Sequence, residues 1–298
     1  MALKDAREVQ DFRLRRLEKP EERRAVEEVH RAAFGDQDEP ALPASLQRTL
    51  QDHGGLVLGA FADIHLAGFS VGFLGWDGAV LYHYSVATAV RPEYQNHHVG
   101  FRLKAFQRDE VLGQGLSTMR GAFDPLVSRT AFLFVRRLGV RPDRYLPHYF
   151  GRLGGDGSGS GESDRLRYLW ELSDPRTEAR LAGRLPAPED DLARWTASEA
   201  LLATEPGESG IRLPTAVSEP SAESVTLEIP FDLGLVREHE APSVRRWRHA
   251  VRDAFQAAFD LGYRVDDFAV VRAGHERRSA YFLGKGPVVA SGPGPTPG

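Results

Sequence analysis

Residues 90–104, VRPEYQNHHVGFRLK, have the types and spacing most suited to chemistry in this sequence. A strand-like segment ends at Val90, Pro92 interrupts it, and apolar residues at helical spacing begin at Val99. The first backbone N–H groups of an α-helix have no intrahelical acceptor and lie at the positive end of the helix dipole. The pattern therefore predicts an anion site at the start of this helix, well suited to a pyrophosphate.

Other common binding motifs do not fit this segment. A P-loop needs Gly-Lys-Ser/Thr at the helix start, and the segment has none. A Rossmann fingerprint needs three spaced glycines, whereas only Gly100 occurs between 90 and 104. His83, His97 and His98 lack the spacing of zinc ligands, so the sequence predicts no metal.

The segment resembles the acyl-CoA signature of the GNAT acyltransferase superfamily, Val-x-Pro-x-x-Gln/Arg-x-x-Gly-x-Gly/Ala. Four residues match this signature in register: Val90, Pro92, Gln95 and Gly100. His98 stands where the signature has its first glycine. The resemblance covers about residues 11–174 and implies transfer of an acyl group from acyl-CoA to a primary amine. The chain also looks like a bacterial subgroup with an extra C-terminal region, which implies acetyl-CoA or succinyl-CoA as co-substrate and a small, amino-acid-like acceptor.

The resemblance also implies which residues bind the cofactor. The pyrophosphate of acyl-CoA would contact a run of backbone amides at the helix start: Gln95, Asn96, His97, His98, Val99, Gly100 and Phe101. The pantetheine arm would pair, in the manner of an added strand, with the end of the preceding strand: Thr88, Ala89 and Val90.

Amine acylation needs a base for the ammonium proton and an acid for the departing thiolate. In the family, the base position often lies six residues before the signature valine, which is Tyr84 here. Tyrosine is a poor base near neutral pH, although it could orient a water molecule. His83 should point to the opposite face of the strand unless a β-bulge intervenes.

The general acid of the family is usually a tyrosine in an Asn-x-x-Ala-x-x-x-Tyr pattern on the helix after the fifth strand. The tyrosine of this pattern is missing here, because the matching positions are Ser128, Ala131 and Val135. Residues nearby in sequence could substitute for it: Tyr145, His148 and Tyr149. Of these, Tyr149 is taken as the candidate catalytic residue.

Asp124 ends the predicted fifth strand, close to where the acyl group and the amine meet in the family. It could bind or deprotonate an amine. Asp followed by Pro125 is equally typical of a helix N-cap with proline at the first helical position. Both interpretations stay open, and the catalytic candidates are Tyr84, Asp124 and Tyr149.

Hydrophobic periodicity predicts an ordered series of strands and helices. The predicted strands are 12–17, 56–61, 67–74, 79–90, 117–123 and 166–172. The predicted helices begin at Pro20, Ala44, Val99 and Pro125, and the last of them ends at Gly139. Because antiparallel hairpins lead into a β-α-β unit, the predicted class is α/β with a mixed sheet, in the order of the GNAT-like acyl-CoA fold.

A single hydrophobic core rarely exceeds roughly 250 to 300 residues, so two domains are expected for this chain. The predicted segments are a GNAT-like acyl-CoA-binding domain (1–175), a helical segment and linker (176–222), a small α/β C-terminal domain (223–286) and a disordered tail (287–298). A glycine- and serine-rich loop at 154–161 is expected to be mobile. In the C-terminal domain, three arginines share one face of a predicted helix and are interpreted as solvated: Arg245, Arg248 and Arg252.

The composition excludes several classes of function. The net charge of −4 gives no global attraction to nucleic acid or anionic membranes. The absence of cysteine removes disulfides, thiolate zinc sites and cysteine nucleophiles. There is no signal-peptide-like or membrane-spanning apolar stretch. We therefore expect a cytoplasmic protein with a small-molecule amine acceptor, no nucleic acid or membrane partner, and a homodimer as one option.

Two functional hypotheses follow from these patterns. The first is an N-acyltransferase that uses acetyl-CoA or another short acyl-CoA. The second is a catalytically degenerate acyl-CoA-binding protein with the same fold, and it is motivated by His98 and by the missing tyrosine at Val135.

Overall fold

The computed structural model describes residues 11–35, 41–151 and 162–286. The chain divides into two compact units, one formed by Met1–Leu74 with His83–Gly115 and the other by Gly75–Tyr82 with Leu116–Gly298. The domain limits predicted from the sequence stay a prediction. The predicted loop at 154–161 and the predicted tail at 287–298 lie outside the described residues. No helix in the described ranges combines the length and apolar composition that a membrane span requires.

The first unit combines strands with helices. They are β1 (Arg13–Arg16), α1 (Pro20–Phe34), α2 (Ala44–Asp52), β2 (Leu56–Ala62), most of β3 (His65–Trp76), most of β4 (Leu81–Val90) and α3 (Val99–Gly113). The strands lie in the order β1-β2-β3-β4, with antiparallel β1–β2 and β2–β3 pairs. A short 3-10 helix, Pro92–Tyr94, lies between β4 and α3.

Helix α1 shows how the sequence forms and buries these elements. Pro20 occupies its first turn, the Glu22 side chain accepts a hydrogen bond from the Lys19 amide at 3.2 Å, and the helix ends at Gly35 with φ of 82°. Val26 and Val29 are fully buried in a cluster with residues of β2, β3 and β4. Burying each valine stabilises the fold by about 1.5 to 3 kcal/mol.

The second unit contains the remaining elements. Its strands are β5 (Thr118–Phe123), β6 (Arg141–Leu146), β7 (Arg165–Glu171), β8 (Glu199–Ala200), β9 (Leu202–Pro206), β10 (Arg212–Val217), β11 (Ser224–Ile229), β12 (Tyr263–Ala273) and β13 (Glu276–Lys285). Its helices are α4 (Ser128–Ala131), which continues as a π-helix over Phe132–Arg137, α5 (Pro175–Leu181), α6 (Pro188–Ala197), α7 (Leu233–His239) and α8 (Ala241–Asp260).

The strands of the second unit pair mainly in antiparallel fashion. β7 lies between β5 and β6 and is antiparallel to both. A second sheet has the order β12-β13-β11-β8, in which only the β11–β8 pair is parallel. Both units combine helices with sheets, so the predicted mixed α/β class is confirmed.

The helix predicted to begin at Pro125 starts later. Its N-cap is Val127, and Asp124 lies three residues earlier, so the N-cap prediction for Asp124 is wrong. Asp124 Oδ1 instead accepts a hydrogen bond from the Leu126 amide at 2.9 Å, which closes a turn before the helix. Gly139 follows the helix end with φ of 75°, as its predicted role as a C-terminal glycine requires.

Part of the predicted linker forms a hairpin. Residues 204–222 include most of β9 and all of β10, which pair in an antiparallel register. The turn is closed by hydrogen bonds from the Gly207 amide to the Ile211 carbonyl (2.8 Å) and from the Gly210 amide to the Gly207 carbonyl (3.0 Å). Gly207 and Gly210 form the turn, Pro206 ends β9, and Pro214 lies at the register irregularity of β10, which are positions where proline and glycine are tolerated.

We predict that Val26→Ala lowers the free energy of unfolding of the protein by about 2 kcal/mol, because it removes two buried methyl groups and leaves a cavity. Urea denaturation measures this change. Ile64→Ala is the matched control, since Ile64 is 85% exposed and its truncation should change stability by less than about 0.5 kcal/mol. Equal losses in the two variants would contradict the packing described for α1.

Candidate functional site

The turn between β4 and α3 is fixed by hydrogen bonds from residues of the matched signature. Gln95 Nε2 donates to the carbonyl of Val90 at 3.1 Å, and the Gln95 amide donates to the carbonyl of Pro92 at 3.2 Å. The amide of Arg91 donates to the carbonyl of Ala67 in β3 at 2.9 Å. Val90, Pro92 and Gln95 therefore define one rigid turn that leads the chain from the sheet edge into α3.

Two residues of this turn have left-handed backbone conformations. Asn96 has φ of 66° and His98 has φ of 59° with ψ of 12°. This region is open to glycine and costs other residues roughly 1 to 2 kcal/mol, although Asn and His occur there more often than most. The imidazole of His98 belongs to an exposed residue. His98 thus follows the backbone path that the glycine of the signature favours.

The start of α3 presents backbone donors. The first helical hydrogen bond runs from the amide of Arg102 to the carbonyl of His98, at 3.0 Å. The amides of Val99 and Gly100 come before this bond, at the positive end of a 15-residue helix. Val99 is buried and anchors the first turn. These amides can donate hydrogen bonds to an anion such as a phosphate group.

Strand β4 changes face along its length. His83 lies 3.1 Å from Gln107 of α3, between His83 Nε2 and Gln107 Nε2, and Ser85 Oγ accepts a hydrogen bond from Lys104 Nζ of the same helix at 2.9 Å. Ala87 and Ala89 instead pack into the cluster formed with α1. Alternate residues of a regular strand share one face, so the strand is irregular between Ser85 and Ala87.

This irregularity lies directly before Thr88, the first residue predicted to pair with pantetheine. Thr88 Oγ1 lies 2.8 Å from Ser70 Oγ, and Ser70 Oγ donates to Gln107 Oε1 at 2.9 Å. Thr88 therefore lies on the same face of β4 as His83, although five residues separate them. One extra residue in the strand accounts for this, because residues an odd number apart otherwise point to opposite faces. A β-bulge locally interrupts the ladder and leaves backbone groups for another partner, which suits an added strand-like ligand.

His83 and Tyr84 have contrasting environments. His83 is fully buried, and burial together with the charge of Lys104 lowers the pKa of its imidazole to about 3. Burial also lowers the pKa of Lys104 to about 7. Tyr84 is half-buried and its ring lies 5.6 Å from that of Phe73. Of these two neighbours, Tyr84 is the one outside the buried polar cluster behind β4, and its catalytic role stays a prediction.

Asp124, in the second unit, forms a two-point ion pair. Arg248 of α8 donates from Nη1 to Oδ1 at 2.5 Å and from Nη2 to Oδ2 at 2.8 Å. Burial opposes ionisation of this carboxyl, but the Arg248 guanidinium outweighs it and lowers the pKa of Asp124. A carboxylate with both oxygens engaged and a lowered pKa is a weak proton acceptor. The ion pair favours a structural role for Asp124, and a role as base stays a prediction.

Tyr149 lies beside a second charged cluster of the same unit. Its amide donates to the carbonyl of Ser163 at 3.1 Å, and its side chain is partly exposed. Tyr145, in contrast, is buried and donates its hydroxyl to Asp164 at 2.7 Å. Burial and the charge of Asp164 raise the pKa of Tyr145 well above its ordinary value. Tyr149 is thus the more accessible of the two tyrosines, and its role as an acid stays a prediction.

The interpretation of the α8 arginines as a solvated face is wrong for two of the three. Arg248 is buried against Asp124, and Arg252 donates to Asp164 at 2.9 Å and to Glu162 at 2.5 Å. The signal in the sequence is their spacing of four residues, which places both on one helix face. Their partners are separated from them by 88 to 124 residues, so the sequence alone does not pair them.

The same cluster brings three metal-ligand side chains together. Ligand atoms of His148, Glu162 and Asp164 lie within 4.8 Å of one another. Arg252 contacts both carboxylates and already supplies a positive charge there. A metal ion would have to compete with this guanidinium, which lowers the affinity expected for the cluster.

The predicted site residues fall into both units. The whole cofactor segment from Thr88 to Phe101 forms one continuous strand, turn and helix start in the first unit, which also contains Tyr84. Asp124 and Tyr149 belong to the second unit.

No family model and no curated protein matches this chain. Solved structures similar to it include the ribosomal-protein-S18-alanine N-acetyltransferase from Escherichia coli, at 16% identity over 55% of this chain and 96% of that chain, with a TM-score of 0.45. A protein from Desulfovibrio desulfuricans described as an acetyltransferase of the GNAT family has 17% identity, covers 55% of this chain and 100% of that chain, and has a TM-score of 0.43. NAA60 from Arabidopsis thaliana, in complex with acetyl-CoA, has 13% identity over 54% of this chain and 99% of that chain, with a TM-score of 0.43.

We predict that Arg248→Met lowers the free energy of unfolding by about 3 kcal/mol at pH 7, because Asp124, which is largely buried, loses its partner. In the wild type, the lowered pKa of Asp124 gives stability that is present at neutral pH and lost as the pH falls below about 4. In the variant, burial raises the pKa of Asp124, because it outweighs the smaller lowering by the Leu126 amide and Arg165. The deficit relative to wild type should therefore shrink between pH 7 and pH 5.

Urea denaturation at the two pH values measures this difference. Adding Asp124→Asn to Arg248→Met should restore part of the loss, because the buried negative charge is removed. Arg48→Met is the control, since the Arg48–Asp52 pair is largely exposed and its loss should leave stability nearly unchanged. An equal deficit at both pH values would show that the charge of Asp124 is not what Arg248 compensates.

Proposed function

We propose that this chain is an acyl-CoA-dependent N-acyltransferase that transfers an acetyl or other short acyl group, with succinyl as one option, to the primary amine of a small, amino-acid-like acceptor. The observation that carries the proposal is the start of α3. There, a turn from β4 passes through the left-handed residue His98, and the amides of Val99 and Gly100 that follow come before the first helical hydrogen bond. This arrangement accompanies four matched signature positions at the predicted spacing.

Each part of the segment has a role in the proposed binding mode. The segment from Gln95 to Phe101 binds the pyrophosphate chiefly through the amides of Val99 and Gly100, since the Gln95 amide already donates to the Pro92 carbonyl. The strand end at Thr88, Ala89 and Val90 pairs with the pantetheine arm beside the irregularity of β4. Bound acyl-CoA supplies an activated thioester. The side chain of His98 is exposed.

Proton transfer is assigned to residues that the site leaves accessible. Tyr84 would orient a water molecule that accepts the ammonium proton, since a tyrosine hydroxyl is itself a poor base near neutral pH. Tyr149 would donate a proton to the departing thiolate, which fits the hydroxyl of a partly exposed side chain. Asp124 is the weaker candidate because both of its oxygens are engaged by Arg248.

A second candidate function is acyl-CoA binding without turnover. At the position where the family has its general-acid tyrosine, this chain has Val135, which is fully buried. Valine has no hydroxyl, so this position cannot supply the proton. The two functions share the binding site and differ only in the acid and base.

We predict that CoA and acetyl-CoA stabilise the protein by about 2.7 kcal/mol at 100 times their dissociation constant, since the ligand binds only the folded state. Gly100→Asp should abolish this gain, because it places a negative charge beside the phosphates. The same substitution is favourable for the helix itself, since an acidic residue in the first turn complements the dipole. Loss of binding is then separable from loss of folding.

Thermal melts with and without each ligand provide the measurement. Ile64→Asp adds the same charge at an exposed residue between β2 and β3 and should keep the full response. If Gly100→Asp responded to CoA like the wild type, the phosphate would not be bound at α3 and the proposed site would be wrong.

We further predict that the protein releases free thiol from acetyl-CoA or succinyl-CoA in the presence of at least one amine from a panel of amino acids and related amines. Tyr149→Phe should lower kcat by about 100-fold or more, which is the range for loss of a general acid. The response of the variant to CoA in a thermal melt should stay unchanged. CoA binding with no thiol release from any amine would favour the second candidate function.

A further inference from the structure

The second unit contains a cavity of about 370 Å³ whose walls include three arginines. These are Arg141 of β6, Arg176 of α5 and Arg264 of β12. The volume lies within the range of roughly 300 to 1,000 Å³ that is typical of small-molecule sites. The other walls include small and apolar residues such as Gly139, Leu169 and Val265. The cavity is therefore large enough for a small organic molecule. Its arginines favour a molecule with a negative charge.

Four carboxylates also line the cavity, but each already has a donor. They belong to Asp143, Glu171, Asp174 and Asp266. Asp143 accepts two hydrogen bonds from Arg167, at 3.0 and 2.6 Å. Glu171 and Asp174 contact Nη1 of Arg141 at 3.0 and 3.4 Å, and Asp266 contacts Arg194 at 3.0 Å. Existing ion pairs therefore offset most of the negative charge around the cavity.

Arg176 has no comparable partner within the described residues. Its nearest carboxylate oxygen, Oδ1 of Asp267, lies 3.8 Å from Nη2, which is too long for a hydrogen bond. Its Nε and Nη2 are buried without an acceptor in the described part of the chain. Burial lowers the pKa of Arg176; Asp267 opposes this, and the charges of Arg180 and Arg141 add to it. This guanidinium is thus an under-compensated cation at the cavity wall.

The charges behind Arg176 do not correct this imbalance. Asp267 is shared between Arg136 and Arg180, at 2.9 and 2.6 Å, and Arg136 also contacts Asp191 at 2.6 Å. Three guanidinium groups thus share two carboxylates, which leaves one positive charge in excess. Nη1 of Arg180 is also buried without an acceptor among the described residues. Buried charge without compensation is costly, so an anion near Arg176 would stabilise the cluster.

Arg264 is a second arginine of the cavity wall that is not paired with any of its four carboxylates in the described residues. It is half-buried, and its Nη1 donates to the carbonyl of Tyr263 at 2.7 Å. A guanidinium has five N–H donors in a fixed plane, so this bond leaves donors for a ligand. Carboxylates and phosphates match the geometry of such a group, and two arginines can bind one anion together.

We propose that this cavity binds the anionic group, a carboxylate or a phosphate, of a small organic molecule, with Arg176 and Arg264 as its main partners. The site is built entirely from residues of the second unit. It does not depend on the proposed acyl-CoA site, whose amides belong to α3 in the first unit. The two proposals can therefore fail separately.

Thermal melts and calorimetric titrations with inorganic phosphate and with malonate, at constant ionic strength, test this proposal. We expect at least one of the two anions to bind the wild-type protein. Arg176→Met and Arg264→Met should each weaken that binding at least about tenfold. Arg48→Met, at an exposed arginine of α2, should not change it. Gly100→Asp should also keep it, which separates this cavity from the start of α3.

The pattern of responses identifies the ligand class. Binding of phosphate alone would indicate a phosphate-bearing ligand, and binding of malonate alone would indicate a carboxylate. The proposal is overturned if neither anion binds the wild type, or if Arg176→Met and Arg264→Met bind as the wild type does. Arg264 is only half-buried, so its variant keeps the test decisive even if Arg176→Met fails to fold.

Discussion

The left-handed turn between β4 and α3 is the constraint on which the first unit's chemistry depends. The chain must leave strand β4 at Val90 and start a helix nine residues later. Hydrogen bonds from Gln95 close the first part of the turn, and the left-handed conformation of His98 completes the reversal. A residue other than glycine at this position costs conformational energy. The sequence tolerates this cost, and the amides that follow remain available to an anion.

Compensation of buried charge plays the corresponding role in the second unit. Arg248 and Asp124 match each other one to one, and both atoms of each fork are used. A complete buried ion pair can contribute nothing to the free energy of unfolding, whereas removing one partner is strongly destabilising. The pair therefore ties α8 to the segment that follows β5. Around Asp267 the match is incomplete, because guanidinium groups outnumber carboxylates. The Arg248–Asp124 pair therefore has a structural role. The cluster around Asp267 has an excess positive charge that the proposed anion would compensate.

Local features of this protein were predictable from sequence, and long-range features were not. The limits of strand β2 and the start of helix α3 lie within one residue of those predicted, because hydrophobic periodicity and the glycine and proline signals are local. The hairpin of β9 and β10 was missed because proline and glycine in a short edge hairpin have the composition of a linker. The partners of Arg248 and Arg252 were missed because helical spacing shows that two residues share a face but not what packs against it.

The same distinction explains why one of the two proposed anion sites could be predicted from the sequence and the other could not. The positions of the backbone amides at a helix start depend on the turn residues just before the helix. A motif of eleven positions can therefore specify the whole site. A guanidinium site depends on whether each arginine has a carboxylate, and that balance is set by residues far apart in the chain. Nothing in the sequence around Arg176 and Arg264 distinguishes them from other arginines of the chain. The structure is needed to count the carboxylates around these arginines and the hydrogen bonds that those carboxylates already accept. This count separates an arginine that could bind an anion from one that is part of a salt-bridge network.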